Sequence, residues 1–470
     1  MMLKHLQPVI KACQEELQRD FAAQLMCAKP PCDPREAAEH TARAWLLELA
    51  IIRCFEEQRW RIPSCLNRGI DHDQLRQKIE ASRNRWQADL AFPLAHFPAP
   101  DLFPTLDSLP LLRQHLTGTI PPEAWRSEHI LGWIYQSLLA ETPGQKQQGQ
   151  FYTPEVIADY IVSQALHMAQ VDQVDWSSSN PFTLFDLACG CGMFALRAFD
   201  YLADAYRQAL ARSLSSSSRQ RVDIPQRILD KHLFLIDIDP LARRIAAISL
   251  YLKAKQCDPA CRITRLNIWC ADALHKWEHQ QDLGDSERNT NLKKLFTRKY
   301  DVVVGNPPYR VVNQLQASKE RIHLYKSYRS AAFKINTFAL FVERGIDLLK
   351  PQGILGMIVP NTCLTQVYFE PLRQYILATT TIRSILDTKR LFENASVENC
   401  IVLLQRESSA ARRHANTITC KVKQPPREGQ FPRKRLATNP QAAALAVNIP
   451  QRHFENAPLT MFNVHLDEPT

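Results

Sequence analysis

"FTLFDLACGCGMFALRAFDYLADAYRQAL", residues 182–210, runs from an apolar stretch through two glycines into an amphipathic segment. "FTLFDLA" (182–188) reads as a buried strand, and "MFALRAFDYLADAYRQAL" keeps its apolar residues on a helical period. Gly190 and Gly192 stand two apart at the turn, in a chain with only 13 glycines. Glycine takes a left-handed turn without steric cost and lets a ligand touch the backbone. A tight turn with no ligand is the plain alternative. Through Ala195 the stretch also satisfies G-x-G-x-x-A, so a dinucleotide-binding turn stays open.

The strand–helix pattern repeats downstream. "HLFLIDI" (232–238), "RITRLNIWCAD", "DVVVG" (301–305), "GILGMIVP" (353–360), "IRSILDT" and "NCIVLLQR" read as strands, the last closing near 406. "LARRIAAISLYLKAKQ" and "NTFALFVERGIDLLK" are helices between them. Alternating units of this kind predict an α/β fold with a doubly wound, mostly parallel sheet. In such sheets ligands bind at the carboxyl ends of the strands. Upstream, "HTARAWLLELAIIRCFEEQ" and "WRSEHILGWIYQSLLAE" are amphipathic and helical, and the glutamine-rich "TPGQKQQGQ" (142–150) marks a connector. The expected organisation is a helical domain at 1–141, the α/β domain at 142–410 and a basic C-terminal extension at 411–470, a truncated or docking segment.

Composition sets bounds on class. The 470 residues are 45% hydrophobic and 23% charged, ordinary globular values. No apolar run approaches the roughly 20 residues that span a bilayer, and the charged N-terminus lacks the core of a signal peptide. A cytoplasmic protein with no membrane association is expected. The thirteen cysteines are an odd number set mostly in apolar stretches, which fits free core thiols. Cys27/Cys32, Cys189/Cys191 and Cys257/Cys261 form no paired CxxC pattern with nearby histidines, so no metal site is expected. The net charge of +10 suits a nucleic-acid partner, and equally a basic solvated surface.

Acids decide what the glycine turn holds. "LFLIDIDP" ends the second strand with Asp237, where a carboxylate can accept both hydroxyls of a ribose. Asp239 shares that task or caps the next helix. "WCADAL" ends the third strand with Asp272, placed to accept a hydrogen bond from an adenine amino group. Asp186 suits the ammonium of an amino-acid moiety. Three acids on consecutive strand ends, with no basic residue for a pyrophosphate, favour S-adenosylmethionine over a dinucleotide.

"DVVVGNPPYRVV" (301–312) then places a rigid polar–aromatic element at the end of the fourth strand. Asn306 and the Pro307 carbonyl can accept both N–H bonds of an exocyclic amine, freeing its lone pair. Pro307 and Pro308 fix φ and stiffen the element. Tyr309 offers a face to a base rotated out of a duplex. The plain alternative is a strand-ending turn rich in Asn and Pro.

"GQFYTPEVIADYIV", "DLACGCG", "LIDIDP", "ADAL" and "VVVGNPPY", in this order, resemble the motifs of gamma-group N6-adenine DNA methyltransferases, which include type I modification subunits and the methylase portion of type IIG enzymes. The resemblance covers roughly residues 125–405. It implies a seven-stranded methyltransferase sheet of Rossmann-like type. It implies a double-stranded DNA substrate with a flipped adenine, and a role in restriction-modification or phage defence. By motif position it places Thr153 near the methionine end of S-adenosylmethionine, with Asp186, Ala188, Gly190 and Gly192; Asp237 at the ribose; Asp272 at the adenine. "KRLFENASVENCIVLL" resembles the late motif whose Phe packs the far face of the flipped base, which nominates Phe392. "EAWRSEHILGWIYQSLLAE" is similar to the helical segment before the methylase in BREX-type and type IIG enzymes. A separate specificity polypeptide, or a recognition domain of a longer parent chain, is the expected partner. Competing readings are the methylase part of a combined restriction-modification enzyme, a non-catalytic DNA-binding subunit, and a protein- or RNA-methylating enzyme.

Overall fold

A computed structural model describes residues 2–28, 34–58, 73–74, 76–81, 108, 111–112, 114–139, 153–213, 222–279, 287–312, 318–331, 335–389, 398–423 and 444–464. The chain divides into two compact units, residues 1–144 with 244–266, and residues 145–243 with 267–470.

The first unit is helical. Helices α1 (Met2–Ala28), α2 (Pro34–Glu57) and α3 (Ile130–Leu139) form it, with most of a later helix. In α1 the buried residues Leu6, Ile10, Cys13, Leu17, Phe21 and Leu25 recur every three or four positions. That spacing puts one apolar stripe along the helix and leaves its charges outside. Arg244 and Glu48, both buried, pair at 3.0 Å. Among the described residues no helix is long and apolar enough to cross a membrane.

Among the described residues, the second unit is built on a nine-stranded sheet. Its strands are β1 (Leu184–Asp186), β2 (Leu233–Asp237), β3 (Ile268–Cys270), β4 (Tyr300–Gly305), β5 (Leu349–Pro360), β6 (Thr380–Lys389), β7 (Asn399–Arg406), β8 (Thr417–Lys423) and β9 (Ala444–Pro450). Their spatial order is β3-β2-β1-β4-β5-β7-β6-β8-β9. The first five lie parallel, β7 runs antiparallel between β5 and β6, and β8 pairs parallel with β6 and antiparallel with β9. The α/β, mostly parallel fold therefore holds, with two strands more than the seven expected. The additional strands, Thr417–Lys423 and Ala444–Pro450, lie in the segment 411–470 that was expected as a C-terminal extension.

Around the sheet stand α4 (Glu155–Met168), α5 (Met193–Ser213), α7 (Glu287–Thr297), α8 (Lys319–Lys326), α9 (Thr337–Asp347) and α10 (Glu370–Thr379), while α6 (Pro240–Cys257) begins in this unit and belongs for most of its length to the first. Side chains alternate faces along β5, and its two sides meet different helices. A Cβ added at Gly356 would lie 2.9 Å from Ile161 of α4, so this glycine lets α4 lie close. Leu355 and Met357 turn the other way, toward Gly345 of α9. At the amino end of β4, Asp301 accepts from the Thr183 amide and from Lys350 Nζ, both at 2.8 Å. That acid registers three neighbouring segments of the sheet.

Strand order reverses between β1 and β4: the chain continues from β1 toward β2 and β3, and later from β4 toward β5. A crevice opens at the carboxyl ends of two strands that diverge in this way. With Asp186 opposite Val304 in the register, the Asn-Pro-Pro-Tyr element leaves the sheet beside the glycine turn.

Candidate active site

Asp186 ends β1 fully buried. Its Oδ1 accepts from the Ala188 amide at 3.2 Å, while Oδ2 is buried with no hydrogen-bond partner. A Cβ at Gly305 would approach Oδ1 to 3.3 Å, so β4 passes close because position 305 is glycine. Burial above all, with the charge of Asp237, lifts the Asp186 carboxyl to about 8 against the pull of the Ala188 amide. An unpartnered, costly carboxylate oxygen of this kind suits a cationic or N–H-donating ligand group.

The turn after Asp186 is left-handed at both glycines, with φ +50° at Gly190 and +88° at Gly192. Among the described residues, its own chain neighbours apart, nothing lies within 4 Å of where a Cβ of Gly190 would stand. Conformation, then, rather than crowding, calls for glycine, and the turn faces open space. The Gly190 amide donates to Asp237 Oδ2 at 2.7 Å, and the Asp239 amide to Asp237 Oδ1 at 2.9 Å. These bonds tie the β1 turn to the end of β2. Burial raises the Asp237 carboxyl to about 6, and the same two amides restrain the rise.

Asp239 caps α6: its Oδ1 accepts from the amides of Leu241 at 2.8 Å and Ala242 at 3.4 Å. Of the two roles open to it, helix capping is the one its contacts fill. Ile238, between the two acids, is 57% exposed at this edge. Asp272, past β3, accepts at Oδ1 from the Leu274 amide at 2.9 Å, and the Tyr325 hydroxyl lies 3.5 Å from Oδ2. The thiols of Cys189 and Cys191 are pushed well above their ordinary value, chiefly by burial, and so stay protonated at neutral pH.

The Asn306 side chain donates from Nδ2 to Oγ1 of the buried Thr153 at 3.1 Å. The amide oxygen is thereby turned to the side away from Thr153. The Tyr309 hydroxyl donates to the Ile358 carbonyl at 3.2 Å, and its ring meets Phe338 edge-to-face at 6.1 Å. Thr337 locks the exit of the element: its hydroxyl donates to the Pro308 carbonyl and accepts from the Arg310 amide at 3.1 Å. Its own amide returns to the Arg310 carbonyl at 2.8 Å.

Gly190 and Asp237 are thus hydrogen-bonded to each other, Asp186 is held by the Ala188 amide, Thr153 meets Asn306, and Asp272 is held by Leu274 and Tyr325. Phe392 lies outside the described residues, as do the connector 142–150, Lys334 and the basic cluster 433–435. Sequence reasoning missed Tyr325 and Thr337. Tyr325 sits on α8, whose start carries a readable signal, Ser318 accepting from the Arg321 amide at 3.2 Å as an N-cap. Thr337 carries no signal of its own, since its role depends on contacts 27 and 29 residues away.

Residues 231–392 match the family model of the Eco57I restriction-modification methylase. The type II restriction enzyme and methyltransferase RM.Eco57I of Escherichia coli is 26% identical over 249 residues, 47% of this chain and 24% of that protein. The adenine-specific methyltransferase BrxX of Escherichia coli O9:H4 (strain HS) is 25% identical over 424 residues, 60% of this chain and 34% of that protein. The chain therefore spans about a quarter to a third of these relatives. In fold, it resembles the chain of a DrdV–DNA complex, with a TM-score of 0.59 at 17% identity over 99% of this chain and 45% of that one. Over residues 231–392, about a third of its length, the chain is thus similar to the Eco57I restriction-modification methylase family.

Proposed function

We propose that the chain transfers a methyl group from S-adenosylmethionine to N6 of an adenine in DNA, as the methylase part of a restriction-modification or phage-defence system. One observation carries the reading. The Asn306–Tyr309 element stands at the strand-order reversal, beside a glycine turn with a buried, unpartnered carboxylate oxygen. RM.Eco57I and BrxX, by their own descriptions a methyltransferase and an adenine-specific one, support it.

The residues present fit the cofactor. Asp186 Oδ2 would take its ammonium, the open turn at Gly190 its methionine portion, Asp237 the ribose hydroxyls and Asp272 the adenine amine. When bound, S-adenosylmethionine supplies a methyl group activated by a sulfonium. The protein's contribution is orientation and hydrogen bonding. Asn306 Oδ1 and the Pro307 carbonyl accept the two N–H bonds of the target amine, which draws its lone pair out of conjugation. Pro307 and Pro308 hold those acceptors in place before the base arrives, so little reorganisation accompanies the reaction. Tyr309, fixed by Ile358 and Phe338, gives the extruded base a stacking face.

The test is incubation of the full chain with labelled S-adenosylmethionine and unmethylated genomic DNA, followed by nucleoside analysis. N6-methyladenine is expected. Asn306→Ala should abolish transfer and leave cofactor affinity, read by calorimetry, largely intact. Label on cytosine, RNA or protein instead of adenine would refute the assignment.

A further inference from the structure

Resting on the adenine-methylation reading, we infer that Thr153 is a positioning residue that holds the Asn306 side chain in line with the target amine. The geometry begins one residue downstream. Pro154 confines the residue before it to extended backbone, and Pro154 is the N-cap of α4. Helix α4 is seated on the sheet where Ile161 fills the space over Gly356. Thr153 is therefore fixed at the carboxyl edge by a rigid proline and a packed helix. Its branched Cβ narrows the choice of rotamer further, and the side chain is 5% exposed. What this post carries at its tip is a hydroxyl 3.1 Å from Asn306 Nδ2.

Asn306 has need of such a post. The terminal torsion of an asparagine is broad and roughly two-fold, so its amide plane is set by partners rather than by its own rotamer. An acceptor for an amine must point along the N–H bond, because hydrogen bonds weaken steeply off axis. A bond from Nδ2 to Thr153 fixes the plane and turns the oxygen to the opposite side. This role differs from that of a cofactor ligand, since the partner Thr153 touches is the amine-binding residue.

Three variants and two readouts separate the roles: single-turnover methyl transfer to unmethylated DNA, and cofactor affinity by calorimetry. Thr153→Val keeps the shape and removes the hydroxyl. It should slow transfer by roughly 10- to 100-fold, the scale of a small misplacement of a reacting group, with cofactor affinity unchanged. Thr153→Ser restores the hydroxyl and should recover most of the rate. If the valine variant does not fold, Thr153→Ala, which adds no bulk, is read the same way. An unchanged rate overturns the inference. So does loss of cofactor affinity in step with the rate, which would make Thr153 a cofactor ligand. Failure of the underlying reading shows separately, as wild-type protein that binds the cofactor and methylates no adenine, and the inference falls with it.

Discussion

Asp186 is the residue whose environment says most about its ligand. Its carboxyl, held near 8 by burial rather than at the ordinary 3.8, keeps a proton at neutral pH. The sign follows from linkage: folding favours the protonated form, so this group's contribution to stability is present at low pH and fades as pH rises toward 8. A bound ammonium reverses the preference, because it needs the carboxylate. Affinity for S-adenosylmethionine should therefore rise several-fold between about pH 6 and 7.5, below the roughly 7.7–8.0 at which an α-amine loses its own proton. Asp237, raised to about 6, steepens the rise at its lower end. Binding in this window should release a proton, visible by calorimetry in buffers of different ionisation enthalpy. Asp186→Asn should flatten the profile above about pH 7, where Asp237 is already ionised; a slope that survives there would place the ammonium elsewhere. These acids were legible in the sequence because each follows a buried strand. Thr153 was named from its motif, but its pairing with Asn306, 153 residues away, was not; Tyr325 and Thr337 were legible only as types, since their partners stand 53 and 27 residues away.

At the scale of elements, the glycine turn was readable and two outer strands were not. The turn announces itself because glycines are scarce and two stand together after an apolar run. Strand β8 has only a short alternation, with Ile418 and Cys420 buried. Strand β9 is rich in alanine, which speaks for helix as readily as for strand. Helix α7 opens on the polar stretch "ERNTN" (287–291): its buried residues are Leu292, Leu295 and Phe296, too few to stand out among asparagines and lysines. Two glycines allow the turn to be tested against ordinary packing. Gly190→Ala forces an alanine to φ +50°, at a cost of about 1–2 kcal/mol, and should shift the amide that holds Asp237. It should lower both melting temperature and cofactor affinity. Gly345→Ala drives a methyl group into Leu355 and should cost about 1–3 kcal/mol, with affinity unchanged. Equal effects on affinity would mean the turn does not address the cofactor.

For the molecule as a whole, charge and span point to the last prediction. Base-edge contacts specify a DNA sequence, while phosphate contacts only position the protein. On the proposed reading, the carboxyl edge of the sheet, with its acids and the Asn306 element, holds cofactor and one base. The chain also spans only 24% of RM.Eco57I and 34% of BrxX, and its net charge is +10. After the Asn-Pro-Pro-Tyr element, Arg310 and the α8 residues Lys319, Arg321 and Lys326 are exposed, a set suited to gripping phosphates beside an extruded base. Four such contacts would give a slope of log K against log salt of roughly −3.6, so raising salt from about 50 to 200 mM should weaken DNA binding on the order of 100-fold. Replacing Lys319, Arg321 and Lys326 together by alanine should bring the slope near −1. Methylated adenines mapped after incubation with this chain alone should show little sequence preference, and a specific motif should emerge only with a separate specificity polypeptide or the remainder of a longer chain. A single sharp motif, produced efficiently by the isolated chain, would place base readout within these 470 residues and remove the need for a partner.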